Sequence, residues 1–229
     1  MIPNYTRRSS MELAELENLI KTRRSIRRWQ QKDVPLEMIT RAIELATWAP
    51  NAGNRQPYAF YIVQDRKLIN GIADAVLAKT ELVASWPEAR DFATDVARWK
   101  ETSAFFRGAP VCIAVLMGKY ESTADLILKK HGPDPAAQEI AEARRLGSSS
   151  LQSAAATIAY LLLVLHQMGL GAVWMAGPLQ AKKEIETMLG VPPELHFVAL
   201  VPVGYPAESP DPRLRRPVDE VVKVFLNTK

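Results

Sequence analysis

The chain of 229 residues has a single cysteine, Cys112, and only three histidines. One thiol cannot form an intrachain disulfide, which is typical of a reducing compartment. The histidines are far apart and do not share a helix face, so we expect no metal site. The chain also lacks a glycine-rich dinucleotide fingerprint, a P-loop and the serine elbow of hydrolases. It therefore has no evident set of acid, base and nucleophile.

Long apolar runs are also missing. The longest, residues 154–165, is interrupted by Thr157 and is too short to span a bilayer. The first residues, MIPNYTRRSSMELAEL, contain no apolar signal-peptide core, so we expect a cytoplasmic protein without a membrane partner. The net charge of +4 is mild and sits in two patches. This charge is compatible with nucleic-acid binding but does not require it, and a small anionic ligand explains the patches equally well.

Hydrophobic periodicity predicts a mixture of helices and strands, and hence an α+β or α/β fold. We predict helices at 11–22, 66–82, 88–106, 151–168 and 181–189, and one that Asp33 caps and Pro50 ends. We predict strands at 58–63, 111–117, 171–175 and 196–203, and a last short strand at 218–226. The run VCIAVLM at 111–117 is continuously apolar, which predicts a strand buried on both faces, with Cys112 as a small core residue.

The helix at 151–168 is apolar almost all round. Such a helix is buried on every side, so it lies at the centre of the domain or of a dimer. His166, near its end, is interpreted as a core or helix-end histidine rather than a metal ligand.

The segment KTRRSIRRW at 21–29 carries five basic residues and one serine in nine positions. It can be a solvated helix end, or an anion site in which guanidinium groups and a hydroxyl bind phosphate. A proline-rich arm at 204–217 carries a second arginine cluster. Between them, the loop APNAGNRQP at 49–57 is rich in side-chain amides that can donate and accept hydrogen bonds. This combination suits a bound cofactor that carries its own reactivity.

Four blocks together resemble the nitroreductase family of FMN-dependent NAD(P)H oxidoreductases. They are RRSIR at 23–27, APNAGNRQPY at 49–58, GLGAVWMAGPL at 169–179, and VPVGYP at 201–206 with PRLRRP at 212–217. The blocks occur in the family's order, and no match is placed between about 65 and 147. The resemblance implies one FMN-binding domain over 1–229, of α+β class, with a mixed central sheet flanked by helices in an intertwined homodimer. The helical excursion at 81–147 would form a substrate lid.

The resemblance also implies where FMN would bind, at the dimer interface. The phosphate would be held by Arg23 and Ser25, with Arg24 alongside and Arg213 and Arg215 closing on it. Arg27 would face the N1–C2 carbonyl edge of the isoalloxazine ring and tune it; no catalytic residue beyond the flavin is expected.

The remaining implied contacts come from two other segments. The second subunit would contribute Pro50, Asn51, Ala52 and Asn54, and the run Met175, Ala176 and Gly177 would line the ring near N5. Asn51 replaces the family's usual serine. Ala176 replaces a glutamate found in several nitroreductases, which bears on acceptor preference more than on FMN binding.

The implied activity is hydride transfer from NAD(P)H through flavin N5 to nitroaromatic, quinone or similar acceptors, in a ping-pong mechanism. One alternative keeps FMN but carries out reductive dehalogenation or oxygen-dependent flavin destruction. A second alternative, from another class, is a non-enzymatic module that binds anions or RNA through the same arginines.

Overall fold

The computed structural model describes residues 12–132 and 134–226. Its helices are α1 (Leu13–Thr22), α2 (Leu36–Ala46), α3 (Arg66–Ala84), α4 (Ala93–Thr102), α5 (Thr123–His131), α6 (Pro135–Gly147), α7 (Ser149–Gln167) and α8 (Lys182–Leu189). Its strands are β1 (Tyr58–Val63), β2 (Val111–Gly118), β3 (Gly171–Ala172) and β4 (Leu195–Gly204). Short 3-10 helices span Ala52–Asn54, Pro87–Phe92, Phe105–Gly108, Gly177–Ala181 and Val218–Glu220.

The strands form one sheet in the order β1-β2-β4-β3, and each named pair is antiparallel. The parallel component of the expected mixed sheet is an isolated bridge between Ser25 and Ala172. Helices cover both faces, so the α+β prediction is confirmed.

The expected strand at 171–175 is shorter than predicted: regular pairing ends at Ala172, and Met175 makes a separate bridge to Leu200. Opposite this gap lies Pro202, which has no N–H to donate to the ladder.

The core lies on both sides of β2. Cys112, Ala114 and Leu116 pack with α3 and α8 on one face, while alternate residues such as Ile113 pack with α2 and α7 on the other. This is the two-residue alternation of a strand between two helical layers, as predicted. Burial raises the pKa of the Cys112 thiol to about 12, so it stays protonated and acts as a core side chain.

Helix α7 is buried on one face and not all round, contrary to the prediction for this chain alone. Its inward residues include Ile158 and Leu161, whereas Leu151 and Tyr160 are 47% and 44% exposed. Together α6 and α7 form a helical run, residues 135–167, that is long and apolar enough to cross a membrane by length and composition. Ser148, with φ of 32°, breaks this run, and one face of α7 packs in the core.

Three predicted element bounds were wrong. Asp33 does not cap α2: Pro35 occupies the N-cap position, because the residue before a proline avoids helical angles, and α2 ends at Ala46, before Pro50. The predicted helix at 88–106 is divided, since Pro87 starts a separate 3-10 turn and α4 stops at Thr102. The expected strand at 218–226 forms a 3-10 turn followed by irregular backbone, because no described strand pairs with it.

Candidate functional site

A cavity of about 160 Å³ lies where the basic segment meets the proline-rich arm. Its wall consists of Arg23, Arg24, Ser25 and Arg27 from the first, and Pro210, Asp211, Arg213 and Arg215 from the second. We call it the arginine cavity. The fold therefore brings together all six residues that the resemblance assigns to the phosphate and to the Arg27 position. Asp211, which sequence reasoning did not single out, adds one carboxylate to the wall.

Inward-facing side chains fix the basic segment to the sheet. The backbone N–H of Ile26 donates to the carbonyl of Ala172 at 3.1 Å, and the Trp29 indole N–H donates to the carbonyl of Gly171 at 2.8 Å. Both Ile26 and Trp29 are buried. A Cβ at position 171 would lie 2.7 Å from the Ile26 side chain, so only glycine allows this approach. With Ile26 and Trp29 turned inward, the neighbouring arginines face the arm.

Glu208 ties the arm to the basic segment. Its carboxylate accepts hydrogen bonds from the backbone N–H groups of Arg27 at 2.5 Å and Arg28 at 3.2 Å. Backbone hydrogen bonds from Gln30 to Tyr205 and from Ala207 to Arg28 continue the contact. Sequence reasoning missed Glu208, because a lone carboxylate among prolines carries no recognisable pattern.

Two guanidinium nitrogens of the arginines that line the cavity lack hydrogen-bond acceptors in the part of the chain that the structure describes. Arg23 Nη1 and Arg24 Nε are buried and have no hydrogen-bond partner among the described residues. Burial, with repulsion from Arg24 and Arg215, lowers the pKa of Arg23 below its ordinary value. Buried donors without acceptors are costly, and a bound oxyanion would satisfy them. The residues present therefore fit the phosphate of FMN.

Arg27 lies in the same wall as the phosphate arginines. Its guanidinium carbon lies 6.0 Å from the centroid of the Phe105 ring, and Nη1 donates to the Ser25 carbonyl at 3.4 Å. Its assignment to the flavin ring stays a prediction.

The amide-rich loop is held by a compact set of contacts. The Asn51 side-chain oxygen accepts from the backbone N–H of Gln56 at 2.9 Å, and the Ala52 N–H donates to Ser153 Oγ at 3.1 Å. Gly53, Asn54 and Gln56 all have positive φ, which gives the loop its tight turn. Ser153 is a second residue that sequence reasoning missed, since a serine within a helix is not distinctive.

Two cavities flank this loop. One, of about 530 Å³, is lined by Trp48, Pro50, Asn51, Asn54 and neighbouring residues. The other, of about 350 Å³, is lined by Pro50, Asn51, Ala52, Ser149, Gln152, Ser153 and Ala156. Neither shares a residue with the arginine cavity. Within one chain, the two predicted halves of the flavin site therefore remain separate.

The third predicted group lies after β3. Met175 exchanges two backbone hydrogen bonds with Leu200, both of 2.9 Å, and Ala176 precedes the 3-10 helix that begins at Gly177. The walls of the arginine cavity and of the two loop cavities do not include these residues.

Over residues 12–132 and 134–226, no group of three or more His, Cys, Asp or Glu side chains could hold a metal ion.

The family model described as Nitroreductase family matches residues 20–205, which is most of the chain. The chain belongs to the nitroreductase family. The matched region contains the basic segment, the amide-rich loop and the Met175–Gly177 run, and it ends just before Glu208. Membership confirms the resemblance drawn from the four sequence blocks and makes this chain an oxidoreductase.

The names of relatives in the family describe more than one activity. A putative NADH dehydrogenase/NAD(P)H nitroreductase of Methanothermobacter thermautotrophicus is 28% identical over 207 residues, which are 90% of this chain and 83% of the relative. An iodotyrosine deiodinase of Thermotoga neapolitana is 28% identical over 222 residues, which are 93% of this chain and 98% of the relative.

Solved nitroreductase-fold structures are similar over nearly the whole chain. A BluB-like flavoprotein from Clostridium difficile 630 has a TM-score of 0.81 at 25% identity, covering 95% of this chain and 100% of that one. An iodotyrosine deiodinase bound to FMN and 3-iodo-L-tyrosine has a TM-score of 0.68 at 26% identity, covering 93% and 99%. The expected cofactors agree with this FMN-bound neighbour and with the NAD(P)H-dependent relatives.

Proposed function

We propose that this nitroreductase-family protein uses FMN to pass hydride from NAD(P)H to nitroaromatic, quinone or similar small acceptors in a ping-pong mechanism. The observation that carries the proposal is the pair of buried, unpartnered guanidinium nitrogens on Arg23 and Arg24 in the arginine cavity. FMN, when bound, supplies a ring atom, N5, that accepts and donates hydride. The protein's part is to bind the cofactor, orient it and tune its charge.

The arginine cavity would hold the FMN phosphate. Arg23, Arg213 and Arg215 would supply charge-assisted hydrogen bonds, and Ser25 a short hydroxyl donor. Arg24 is fixed by its own Nη1, which donates to the carbonyls of Lys21 and Arg23 at 2.6 and 2.8 Å. Because these two hydrogen bonds already restrict that guanidinium, ordering it around a phosphate would cost little side-chain entropy.

Arg27 would place a cation at the N1–C2 edge of the flavin ring. A cation there interacts mainly with the negative charge of the reduced ring, so its effect differs between oxidation states. The loop residues Pro50, Asn51, Ala52 and Asn54, with the Met175, Ala176 and Gly177 run, would line the ring and exclude water.

The site would be completed by a second copy of the chain, in an obligate homodimer. The separation of the arginine cavity from the loop cavities supports this arrangement. So do Leu214 in the arm and Phe225 and Leu226 beyond it, which are 98%, 82% and 82% exposed, since a cluster of exposed apolar side chains marks an interaction surface. We expect an interface above about 2,000 Å². Light scattering that finds a stable monomer still carrying FMN would contradict it.

The cytoplasm is the proposed location, because the single thiol is buried and no disulfide can form. The proposed partners are the second subunit and a small-molecule acceptor, without nucleic acid or membrane.

The test begins with the colour of the purified protein. A flavin absorbance spectrum at one FMN per chain supports the proposal, and stopped-flow mixing with NADH and with NADPH should bleach it. Reoxidation by a panel of nitroaromatics and quinones then completes the cycle. A colourless protein that binds RNA or inorganic anions but not FMN would instead support the non-enzymatic alternative.

Reductive dehalogenation is the second candidate. The Thermotoga neapolitana relative supports it, since its similarity extends over 98% of that deiodinase. Release of iodide from 3-iodo-L-tyrosine by the flavin-reduced protein, faster than reduction of any nitroaromatic, would favour this candidate over the first.

Oxygen-dependent flavin destruction is the third candidate, which the family resemblance leaves open. Exposure of the reduced holoprotein to air distinguishes it. Intact FMN recovered after many cycles excludes it, whereas irreversible loss of the flavin chromophore would support it.

A further inference from the structure

A cavity of about 780 Å³ lies between α5, α6 and the start of α7, in the part of the chain to which the family resemblance assigned no motif. We call it the α5–α6 cavity. Apolar side chains in its wall include Leu128 and Ala141, with Tyr120 at one side. Six charged side chains also line the cavity: Lys119, Glu121, Asp125, Lys129, Arg144 and Arg145.

The α5–α6 cavity adjoins the amide-rich loop. Ser149 and Gln152 line both this cavity and the loop cavity that contains Pro50 and Asn51. Tyr120 makes a second connection: its backbone N–H donates to Ser150 Oγ at 3.0 Å, and its hydroxyl lies 3.5 Å from the Cβ position of Gly53. A ligand in the α5–α6 cavity therefore has a direct route to the loop that we assign to the flavin ring.

The helices that form this cavity are tied together. Arg144 on α6 makes two hydrogen bonds to the carboxylate of Asp125 on α5, at 2.7 and 3.0 Å. Arg144 also donates to Ser122 Oγ at 2.6 Å. A two-pronged guanidinium–carboxylate pair holds a fixed geometry, so the cavity is formed before a ligand arrives.

The wall has two more cations than carboxylates. Asp125 is matched by Arg144, while Glu121 is shared between Lys119, at 3.0 Å, and Lys129, which is closer. Arg145 has no ion pair or hydrogen bond with any other residue in the described part of the chain. One lysine charge and the Arg145 charge are therefore available to a ligand.

We propose that the α5–α6 cavity binds the electron acceptor, and that its surplus cations select an aromatic acceptor carrying a carboxylate or another anionic group. The apolar wall would accept the ring, and Arg145 with the lysine pair would face the anionic group. This inference rests on the proposed function, since it needs a flavin ring at the amide-rich loop.

The test compares 4-nitrobenzoate with 4-nitrobenzamide, which match in size and nitro group and differ in charge. Each is titrated into oxidised holoenzyme while the flavin absorbance is followed. Each is then used to reoxidise the NAD(P)H-reduced holoenzyme in single turnovers. We expect the benzoate to bind more tightly and to reoxidise the flavin with a higher kcat/KM than the benzamide.

Two variants should change this preference in opposite directions. Arg145→Gln should weaken 4-nitrobenzoate binding by about two- to fivefold, the effect of one solvent-accessible charge. Glu121→Gln releases both lysines and should strengthen it by a similar factor. The benzamide should respond to neither. Arg41→Gln, which changes an exposed side chain on α2, is the charge-matched control and should change nothing.

Equal binding of the two compounds, absence of binding by both, or equal effects of Arg145→Gln on both would overturn the inference. These outcomes are separate from failure of the proposed function. That failure would appear as protein without FMN, or as bound FMN that neither NADH nor NADPH reduces.

Discussion

The Glu208 carboxylate lies 2.5 Å from the backbone nitrogen of Arg27, across a sequence separation of 181 residues. This hydrogen bond joins the two segments that form the arginine cavity. Glu208 also accepts from the N–H of Arg28, so one side chain reinforces the backbone hydrogen bonds that join the arm to the basic segment.

Replacing Glu208 should therefore weaken FMN binding without removing any phosphate contact. We expect Glu208→Ala to cost about 1 kcal/mol or more, which is at least a fivefold rise in the FMN dissociation constant. Fluorescence titration of apoprotein with FMN measures it. Glu220→Ala, in the 3-10 helix after the arm, is the control and should bind as the parent does. Unchanged affinity in Glu208→Ala would show that the arm is held by other contacts.

Arg215→Ala should purify with much less flavin than the parent, because it removes a charge-assisted contact of about 1.5–3 kcal/mol from the phosphate. Arg23→Ala should behave in the same way. Arg216→Ala is the matched control, since Arg216 is adjacent but outside the cavity wall. The flavin-to-protein absorbance ratio decides: full occupancy in both Arg23→Ala and Arg215→Ala would exclude the phosphate assignment.

Arg27→Gln should retain FMN but lower its midpoint potential. Loss of a charge that favours the reduced ring should shift the potential by tens of millivolts, since about 30 mV corresponds to about 1.4 kcal/mol for two electrons. Reduction by NAD(P)H should slow accordingly. Spectroelectrochemical titration provides the measurement, with residual flavin in Arg215→Ala as the control. An unshifted midpoint with loss of flavin would make Arg27 a phosphate ligand, consistent with its place in the cavity wall.

Gly171→Ala should destabilise the fold and disturb the arginine cavity. The new methyl group would lie 2.7 Å from the Ile26 side chain, which must then move together with the basic segment. Overpacking of this kind costs roughly 1–3 kcal/mol. Urea unfolding and FMN titration measure the two effects. Gly108→Ala is the control, because a Cβ there meets no atom within 4 Å. Equal midpoints for the two variants would contradict the close approach.

His166 should make stability fall below neutral pH. Burial, then repulsion from Arg23 and Arg24, lowers the pKa of His166 below its ordinary value of 6.5. Between that lowered pKa and about 6.5, the unfolded chain binds more protons than the folded chain, so stability decreases as the pH falls through this interval. Above about pH 6.5, His166 is neutral in both the folded and the unfolded chain, so its titration no longer lowers the stability.

The measurement for His166 is the urea midpoint at several values between pH 5 and pH 8. His166→Gln should flatten the decline over this interval, although it also removes the contact with Thr22 Oγ1 at 3.0 Å. A decline of the same size in His166→Gln would place the titration elsewhere.

The sheet was the part of the fold that the sequence predicted best. The run at 58–63 was predicted with the observed bounds, and the apolar run at 111–117 to within one residue, because aromatic and β-branched residues favour a half-buried or buried pleat. Gly190 marked the end of α8 because it adopts the left-handed conformation, with φ of 60°. The expected strand at 218–226 failed because apolar alternation does not specify a pairing partner.

The candidate site was predicted less completely. The basic segment was recognisable from charge density alone, but its meeting with Arg213 and Arg215 was expected only through the family resemblance. Long-range contacts made by ordinary residues, such as Glu208 to Arg27 or Ser153 to Ala52, leave no local pattern. The α5–α6 cavity was equally hidden, because its lining depends on how two polar helices pack.

During synthesis of the chain, the arginine cavity can form only after all strands of the described sheet have been made. Its walls come from residues 23–27 and 210–215, whereas the last strand of the sheet ends at Gly204. A polypeptide emerging from the ribosome can therefore pair every strand before it can form the phosphate pocket. A product truncated after Gly204 would retain the complete sheet and still lack half of the pocket wall. Cofactor loading thus reports on a segment that is made after the sheet is complete.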